Sequence, residues 1–213
     1  MDILSKLFGT EAKVKIMRLF MFNPDQPFGP SDISARAKVP LSVVKRETHL
    51  MRKMGMIKGK SFSQTTSVKK GKRVVTKKKR VGGWILNSAF PYLPALRNLL
   101  INIVLVKHSD IIRRLNGVGR IKLVIISGVF IHEDDSRIDL LVVGDAIRTS
   151  ALENVVRGIE AEVGKELRYA AFETDDFKYR VSMHDKLVRD ILDYPHRAIL
   201  DRLVLSNKVA VEV

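Results

Sequence analysis

Apolar residues recur at helical spacing in three successive segments at the start of the chain, and two strand-like segments follow. The predicted elements are helices over 10–23, 31–37 and 41–54 and strands over 56–60 and 81–87. Thr10 and Ser31 are the expected N-caps of the first two helices. Gly55 stands where the third helix should end, because glycine readily takes the left-handed conformation found after helices.

The pattern changes after Pro91 and Pro94, which are expected to flank a linker. The elements predicted beyond them are a helix over 96–115, strands over 121–127, 138–143 and 167–172, helices over 151–164, from 174 and over 186–192, and a short element at 198–200. Strands that alternate with helices predict a layered α/β domain. We therefore expect an α+β protein with one domain over 1–95 and a second, small α/β domain over 96–213.

The third helix is expected to have a buried side and an exposed side. Val44, Thr48 and Met51 share one face. The outward side offers hydrogen-bond donors suited to base edges and phosphates: Ser42, Lys45, Arg46, His49 and Arg52. Three helices followed by a two-stranded ribbon are the order of a winged helix, in which the second of the paired helices enters the major groove of DNA. A solvated helix face would account for Lys45 or Arg46 taken singly.

Charge separates the two halves of the chain. The net charge is +15, yet residues 1–97 hold 21 Lys and Arg against 5 Asp and Glu, which is +16. Eight of the twelve residues from Lys69 to Arg80 are cations: Lys69, Lys70, Lys72, Arg73, Lys77, Lys78, Lys79 and Arg80. Such a segment attracts a polyanion, and cations on phosphates add affinity without reading sequence. A disordered charged loop, or one that orders on DNA, has the same composition.

Several classes of protein and site are disfavoured. The chain has no cysteine, which excludes thiolate metal sites and disulfides and fits a cytoplasmic location. The five histidines show no short ligand spacing, so we expect no metal and no cofactor. The aliphatic stretch 99–106 is far shorter than the roughly 20 residues of a spanning helix, and we expect no membrane partner.

The second half resembles a known enzyme family. Ser127-Gly128-Val129 followed by Ser136 to Gly144 resembles the minimal nucleotidyltransferases of the DNA polymerase beta superfamily, whose pattern is a strand ending in Gly-Ser, a loop, and Asp-x-Asp on the next strand. The first half is similar to the winged-helix regulators that sometimes precede such a domain. The resemblance covers roughly residues 10–200 and implies a nucleotide site near Gly128 and Asp139.

This chain departs from that family at two positions. Val129 replaces the serine that holds nucleotide phosphate, and Arg137 replaces the first aspartate. A guanidinium keeps its positive charge and repels a metal ion. Glu173 stands near the place of the family's third carboxylate. We therefore expect a remnant nucleotide site at Gly128, Arg137 and Asp139 without catalysis, with Asp139 a structural carboxylate paired with Arg137 or a backbone N–H.

The sequence as a whole predicts a non-enzymatic DNA-binding protein, a transcriptional regulator whose partner is double-stranded DNA. The second domain is expected to serve dimerisation or sensing, with a small molecule or nucleotide as the effector. The apolar stripe of the helix over 96–115, which includes Ile103 and Val104, suits either the core of its own domain or a homodimer interface. Two alternatives stay open: an active nucleotidyltransferase of the antitoxin type, and an RNA-binding protein.

Overall fold

The computed structural model describes residues 3–70, 73–101, 106–133 and 135–204, and for residues 65–77 the description covers the backbone alone. Helices and two small sheets make the α+β class that the sequence predicts. The chain forms two compact units. The first comprises Met1–Ile103 with Ala161–Lys165, and the second comprises Val104–Glu160 with Glu166–Val213.

The first unit is rich in helices. They are α1 (Ile3–Phe8), α2 (Glu11–Phe22), α3 (Pro30–Ala37), α4 (Leu41–Lys53) and α5 (Leu93–Leu100). Thr10 caps α2 as predicted, because its side chain accepts the backbone N–H of Lys13 at 3.1 Å. Gly55 has φ +81°, the conformation expected just after α4.

The prediction that Ser31 caps α3 is wrong. Pro30 already occupies the first helical turn, since its fixed φ and missing N–H suit that position. Gly29 is the N-cap, and its backbone N–H donates to the Asp32 carboxylate at 3.0 Å. The acidic residue in the first turn therefore does the capping.

A continuous apolar core holds these helices together. Ile16, Phe20 and Phe28 are fully or almost fully buried, as are Val44 and Met51 on the inner side of α4. The rings of Phe20 and Phe28 meet edge to face with centroids 5.8 Å apart, a favoured aromatic arrangement. Burial of this kind contributes about 1.5–3 kcal/mol for each large side chain.

A long antiparallel ribbon follows α4 and is made of β1 (Ile57–Lys70) and β2 (Arg73–Leu86). Its register runs without a bulge from the Ile57–Leu86 pair to the Lys70–Arg73 pair. The expectation of a charged loop between two short strands is wrong, because both strands continue through the basic segment. Thr and Val recur at Thr65, Thr66, Val68, Val74 and Val75, and such β-branched residues suit a strand even between lysines.

Phe28 forms an isolated antiparallel bridge with the base of the ribbon. The N–H of Phe28 donates to the carbonyl of Trp84 and the N–H of Trp84 donates back, each at 2.9 Å. Gly83 permits this approach: a side chain there would place its Cβ 2.7 Å from the carbonyl carbon of Phe28. The ribbon is therefore anchored to the segment between α2 and α3.

The second unit is built around a four-stranded mixed sheet. Its elements are α6 (His108–Leu115), β3 (Arg120–Ile126), a 3-10 turn (Gly128–Phe130), β4 (Leu140–Asp145), α7 (Thr149–Val163), β5 (Tyr169–Glu173), α8 (Thr174–Ser182), α9 (Lys186–Asp193) and β6 (Arg197–Asp201). The strand order is β5-β4-β3-β6, with β4 and β5 parallel and the other pairs antiparallel. One core packs Leu123 and Leu141 with Phe177, Val188 and Ile191 from α8 and α9.

The prediction of one helix over 96–115 is wrong. Helix α5 starts at Leu93, with Pro94 in its first turn rather than in a linker, and ends before Ile101. Helix α6 starts only after Lys107, which has an extended backbone and is the N-cap of this second helix. Ile103 and Val104, which the expected apolar stripe included, lie outside the described residues. The surface expected along one continuous helix is thus divided between two shorter ones.

We expect Gly83→Ala to lower the free energy of unfolding by about 1–3 kcal/mol, because the added methyl forces Phe28 and Trp84 apart. Gly82→Ala is the matched control, since a Cβ at Gly82 meets open space. Urea denaturation of both variants measures the difference. Equal stability of the two variants would show that the Phe28 pairing does not anchor the ribbon.

Candidate nucleic-acid interface

The outward face of α4 has the polar character that the sequence predicts. Five residues singled out as DNA contacts are all exposed: Ser42, Lys45, Arg46, His49 and Arg52. At about 3.6 residues per turn, the side opposite the buried Val44 and Met51 is occupied by Ser42, Arg46, His49 and Lys53. Lys53 is exposed, and the sequence reasoning missed it. Its position four residues after His49 is the signal that would have found it.

His49 lies at the centre of this cationic face. Lys45 and Arg46 precede it by one turn, and Arg52 and Lys53 follow it by one turn. Residues three and four apart are neighbours on a helix surface, so four cations surround one imidazole. A face of this composition binds an anion in preference to a neutral ligand.

Arg46 is held in place by the neighbouring buried carboxylate. Its Nε and one terminal nitrogen donate to Glu47 Oε1 at 3.2 and 3.0 Å. The Glu47 side chain is 3% exposed and the Arg46 side chain 62% exposed, so the guanidinium is fixed at one edge and open at the other. Lys13 of α2 faces the second Glu47 oxygen at 3.8 Å. Arginine has five N–H donors, and those not directed at Glu47 can serve a ligand.

Three consecutive cations of β2 lie opposite neutral polar residues of β1. Arg80 pairs with Ser63, Lys79 with Gln64 and Lys78 with Thr65. Residues directly opposite each other share a face, and successive residues alternate, so Lys79 lies on the face opposite to Lys78 and Arg80. All three cations are exposed, as are Lys58 and Lys60 of β1, which the sequence reasoning missed.

Five other predicted DNA-binding residues have side chains outside the described part of the chain. The side chains of Lys69, Lys70, Arg73 and Lys77 lie outside the described residues, as does the whole of Lys72. The backbone register puts Lys70 opposite Arg73 and Lys77 opposite Thr66.

Asp139 in the second unit is a fully buried carboxylate that binds backbone groups. Its Oδ1 accepts the N–H of Val129 at 3.0 Å, and its Oδ2 accepts the N–H of Arg168 at 2.8 Å. The Arg168 guanidinium lies 3.5 Å from Oδ2. Arg137, the expected partner, instead pairs with Asp190 at 2.8 Å, so that part of the prediction is wrong. The Asp139 oxygens are directed at the protein's own N–H groups.

Gly128 lies beside Asp139, whereas Glu173 lies at the other end of the β4–β5 pair, opposite Gly144, so the expectation that Glu173 stands near this carboxylate is wrong. Gly128 has φ +56°, and a Cβ there would collide with Asp139 Oδ1. Glu173 accepts the N–H groups of Ala146 and Ile147, each at 3.1 Å. Within the described ranges, no three His, Asp or Glu side chains are grouped so that they could hold a metal ion.

Neither a membrane-spanning helix in the described part of the chain nor a similar known protein gives a further indication of function. Among the residues that the structure describes, no helix has both the length and the apolar character that crossing a bilayer requires. Comparisons of the chain with protein-family models, with curated proteins and with solved structures found no match.

We expect Asp139→Ala to lower the free energy of unfolding by about 2–4 kcal/mol, because it removes the acceptor of the buried Val129 N–H and of the Arg168 N–H. Asp135→Ala, which removes an exposed carboxylate from the preceding loop, is the control and should change stability by less than about 0.5 kcal/mol. Thermal and urea unfolding give both values. An Asp139 variant as stable as the Asp135 variant would contradict the structural role.

Proposed function

We propose that this protein is a winged-helix DNA-binding protein, a transcriptional regulator of the cytoplasm that binds duplex DNA through α4 and the basic ribbon. One observation carries the proposal. A helix with a cationic outward face ends at Lys53, and four residues later the chain enters a ribbon that carries exposed cations on both faces.

The element order of the first unit supports a winged helix. The order α2, the Phe28 strand position, α3, α4, β1 and β2 gives three helices with a small antiparallel sheet. The turn between α3 and α4 is short and contains Lys38 in the left-handed conformation, with φ 51°. In such a pair the second helix enters the major groove, which gives α4 the reading role.

The distribution of charge on the ribbon favours a duplex over a flat anionic surface. Lys79 lies on one face, and Lys78 and Arg80 lie on the other. A membrane surface would meet only one of these faces, whereas a groove has phosphates on both walls. The major groove is about 12 Å wide and admits a two-stranded ribbon. Residues 63–80 contain no aromatic side chain, and single-strand binding generally uses aromatic stacking.

The second unit, in this proposal, is a nucleotidyltransferase-like domain that does not catalyse and serves dimerisation or sensing. Metal-dependent nucleotidyl transfer needs carboxylates that face the metal ions. Asp139 is directed at backbone N–H groups and Glu173 at the N–H groups of Ala146 and Ile147. The position two residues before Asp139 is occupied by Arg137, which pairs with Asp190, so this position offers no carboxylate.

Duplex binding should depend strongly on salt, because each phosphate that the protein neutralises releases counterions. We expect log K against log salt to fall with a slope of about −0.9 for each phosphate neutralised. The variant Lys78→Gln/Lys79→Gln/Arg80→Gln should weaken binding about equally on all sequences. It should also make the slope shallower by about 1 for each cation–phosphate pair that the substitutions remove. Fluorescence anisotropy across a salt series measures both effects.

The control for net charge is Lys178→Gln/Lys186→Gln/Arg197→Gln, which removes three exposed cations from the second unit. It should leave the slope close to that of the unaltered protein. A flat salt dependence, equal effects of the two triple variants, or stronger competition by structured RNA than by duplex DNA would each overturn the proposal.

The helix and the ribbon should affect specificity differently. We expect Arg46→Ala to cost about 1–3 kcal/mol on a DNA site obtained by selection and to relax the preference at one position. Arg46→Lys should not restore it, because lysine lacks the planar fork that Glu47 orients. Binding measured on selected and random duplexes tests this. A variant that weakens both duplexes to the same extent would show that Arg46 contacts phosphate only.

A further inference from the structure

The ribbon leaves the helical part of the first unit at a definable point. At its base, Ile57 and Leu86 are buried and Phe28 pairs with Trp84. Phe62 is half-buried, and its ring reaches the Gly83 backbone. Beyond this point the described cations of β2 are exposed. The direction of the outer ribbon is therefore set near residues 62–64.

A side-chain hydrogen bond crosses from the helices to the ribbon at this point. Gln64 Nε2 donates to Asp32 Oδ1 at 2.8 Å. The other Asp32 oxygen accepts the Gly29 N–H at 3.0 Å, so the carboxylate is fixed at the first turn of α3. One face of the ribbon is in this way tied to the helix that precedes α4.

An open cleft lies beside this bond. It has a volume of about 610 Å³, and Phe28, Asp32, Arg36, Phe62 and Gln64 are among the residues that line it. Close packing normally holds one arrangement of side chains, and an open space permits others. If the Asp32–Gln64 bond were broken, the outer ribbon would have room to change its direction.

Small changes of angle at Gln64 have large effects at the tip. The six steps along the strand from Gln64 to Lys70 span about 20 Å at roughly 3.3 Å per residue. A rotation of about 20° would then move the tip by about 7 Å, which is more than half the width of the major groove of about 12 Å. The phosphates that the ribbon reaches depend on this angle.

We propose that the Asp32–Gln64 hydrogen bond sets the direction in which the basic ribbon leaves the helical part of the protein. Both residues are positioning residues, because they act through the ribbon and not by touching the ligand. The consequence for DNA binding rests on the proposed function, whereas the effect on ribbon direction does not.

The first measurement uses the full chain without any ligand. Because the protein has no cysteine, spin labels can be placed uniquely with Ser42→Cys on α4 and Thr76→Cys on the outer ribbon. Pulsed electron–electron double resonance then gives the distribution of distances between the two spin labels. We expect a narrow distribution in the parent and a broader or displaced one when Gln64→Ala is added.

Two further variants sharpen this measurement. Gln64→Lys should restore the narrow distribution, because an ammonium group can donate to the Asp32 carboxylate. Ser61→Ala, an exposed ribbon position closer to the base, should leave the distribution unchanged. A Gln64→Ala distribution identical to the parent would overturn the proposal whether or not the protein binds DNA.

The second measurement is duplex binding. We expect Gln64→Ala to weaken binding roughly threefold to tenfold and to make the salt slope shallower, as fewer ribbon cations reach phosphate. The thermal midpoint should stay within about 2 °C of the parent, and Gln64→Lys should bind at least as tightly as the parent. Unchanged affinity and slope together with a broadened distribution would overturn the proposed consequence for binding. If the parent itself failed to bind duplex DNA, the proposed function would fall, and the distance measurement would still decide the role of Gln64.

Discussion

The pairing of Phe28 with Trp84 is the interaction on which the first unit depends. A two-stranded ribbon in water is marginally stable without a third strand or a packed face. The two 2.9 Å hydrogen bonds between Phe28 and Trp84 add a third backbone segment to the ribbon. The ring of Phe28 packs against Phe20 of α2. One residue thus joins sheet to helices, and the absence of a side chain at Gly83 is what allows the backbones to meet.

In the second unit, a buried carboxylate rather than a backbone pairing joins separate segments of the chain. Asp139 carries its carboxylate among apolar strands, which is unfavourable unless the charge is fully hydrogen-bonded. Its partners come from the turn after β3 and from the start of β5, so one side chain fixes two connections of the sheet. The same residue carries the sequence resemblance to nucleotidyltransferases, and its hydrogen bonds from backbone N–H groups give an aspartate a structural role at that position.

Much of the fold is local in origin and for that reason could be predicted. Apolar spacing, Thr10 and Gly55 define α2 and α4, and the exposed side of α4 follows from helical geometry. The predictions that were wrong concern features that depend on interactions between residues distant in sequence, or on competing local signals. The pairing of Phe28 with Trp84 joins residues 56 apart, and the break between α5 and α6 interrupts an apolar run that has no proline or glycine. Charge concealed the strands of the ribbon, because lysines between threonines and valines resemble a loop in composition.

The length of the ribbon has a further physical consequence. Strand β1 has its only described strand partner in β2, so its other edge presents unpaired backbone groups along much of its length. Such an edge invites pairing with the same edge of another molecule, and lysines are a common protection against it. Exposed cations such as Lys58, Lys60 and Lys78 are of the kind that disfavours such pairing. Substitutions that remove them are therefore expected to raise the tendency of the protein to aggregate.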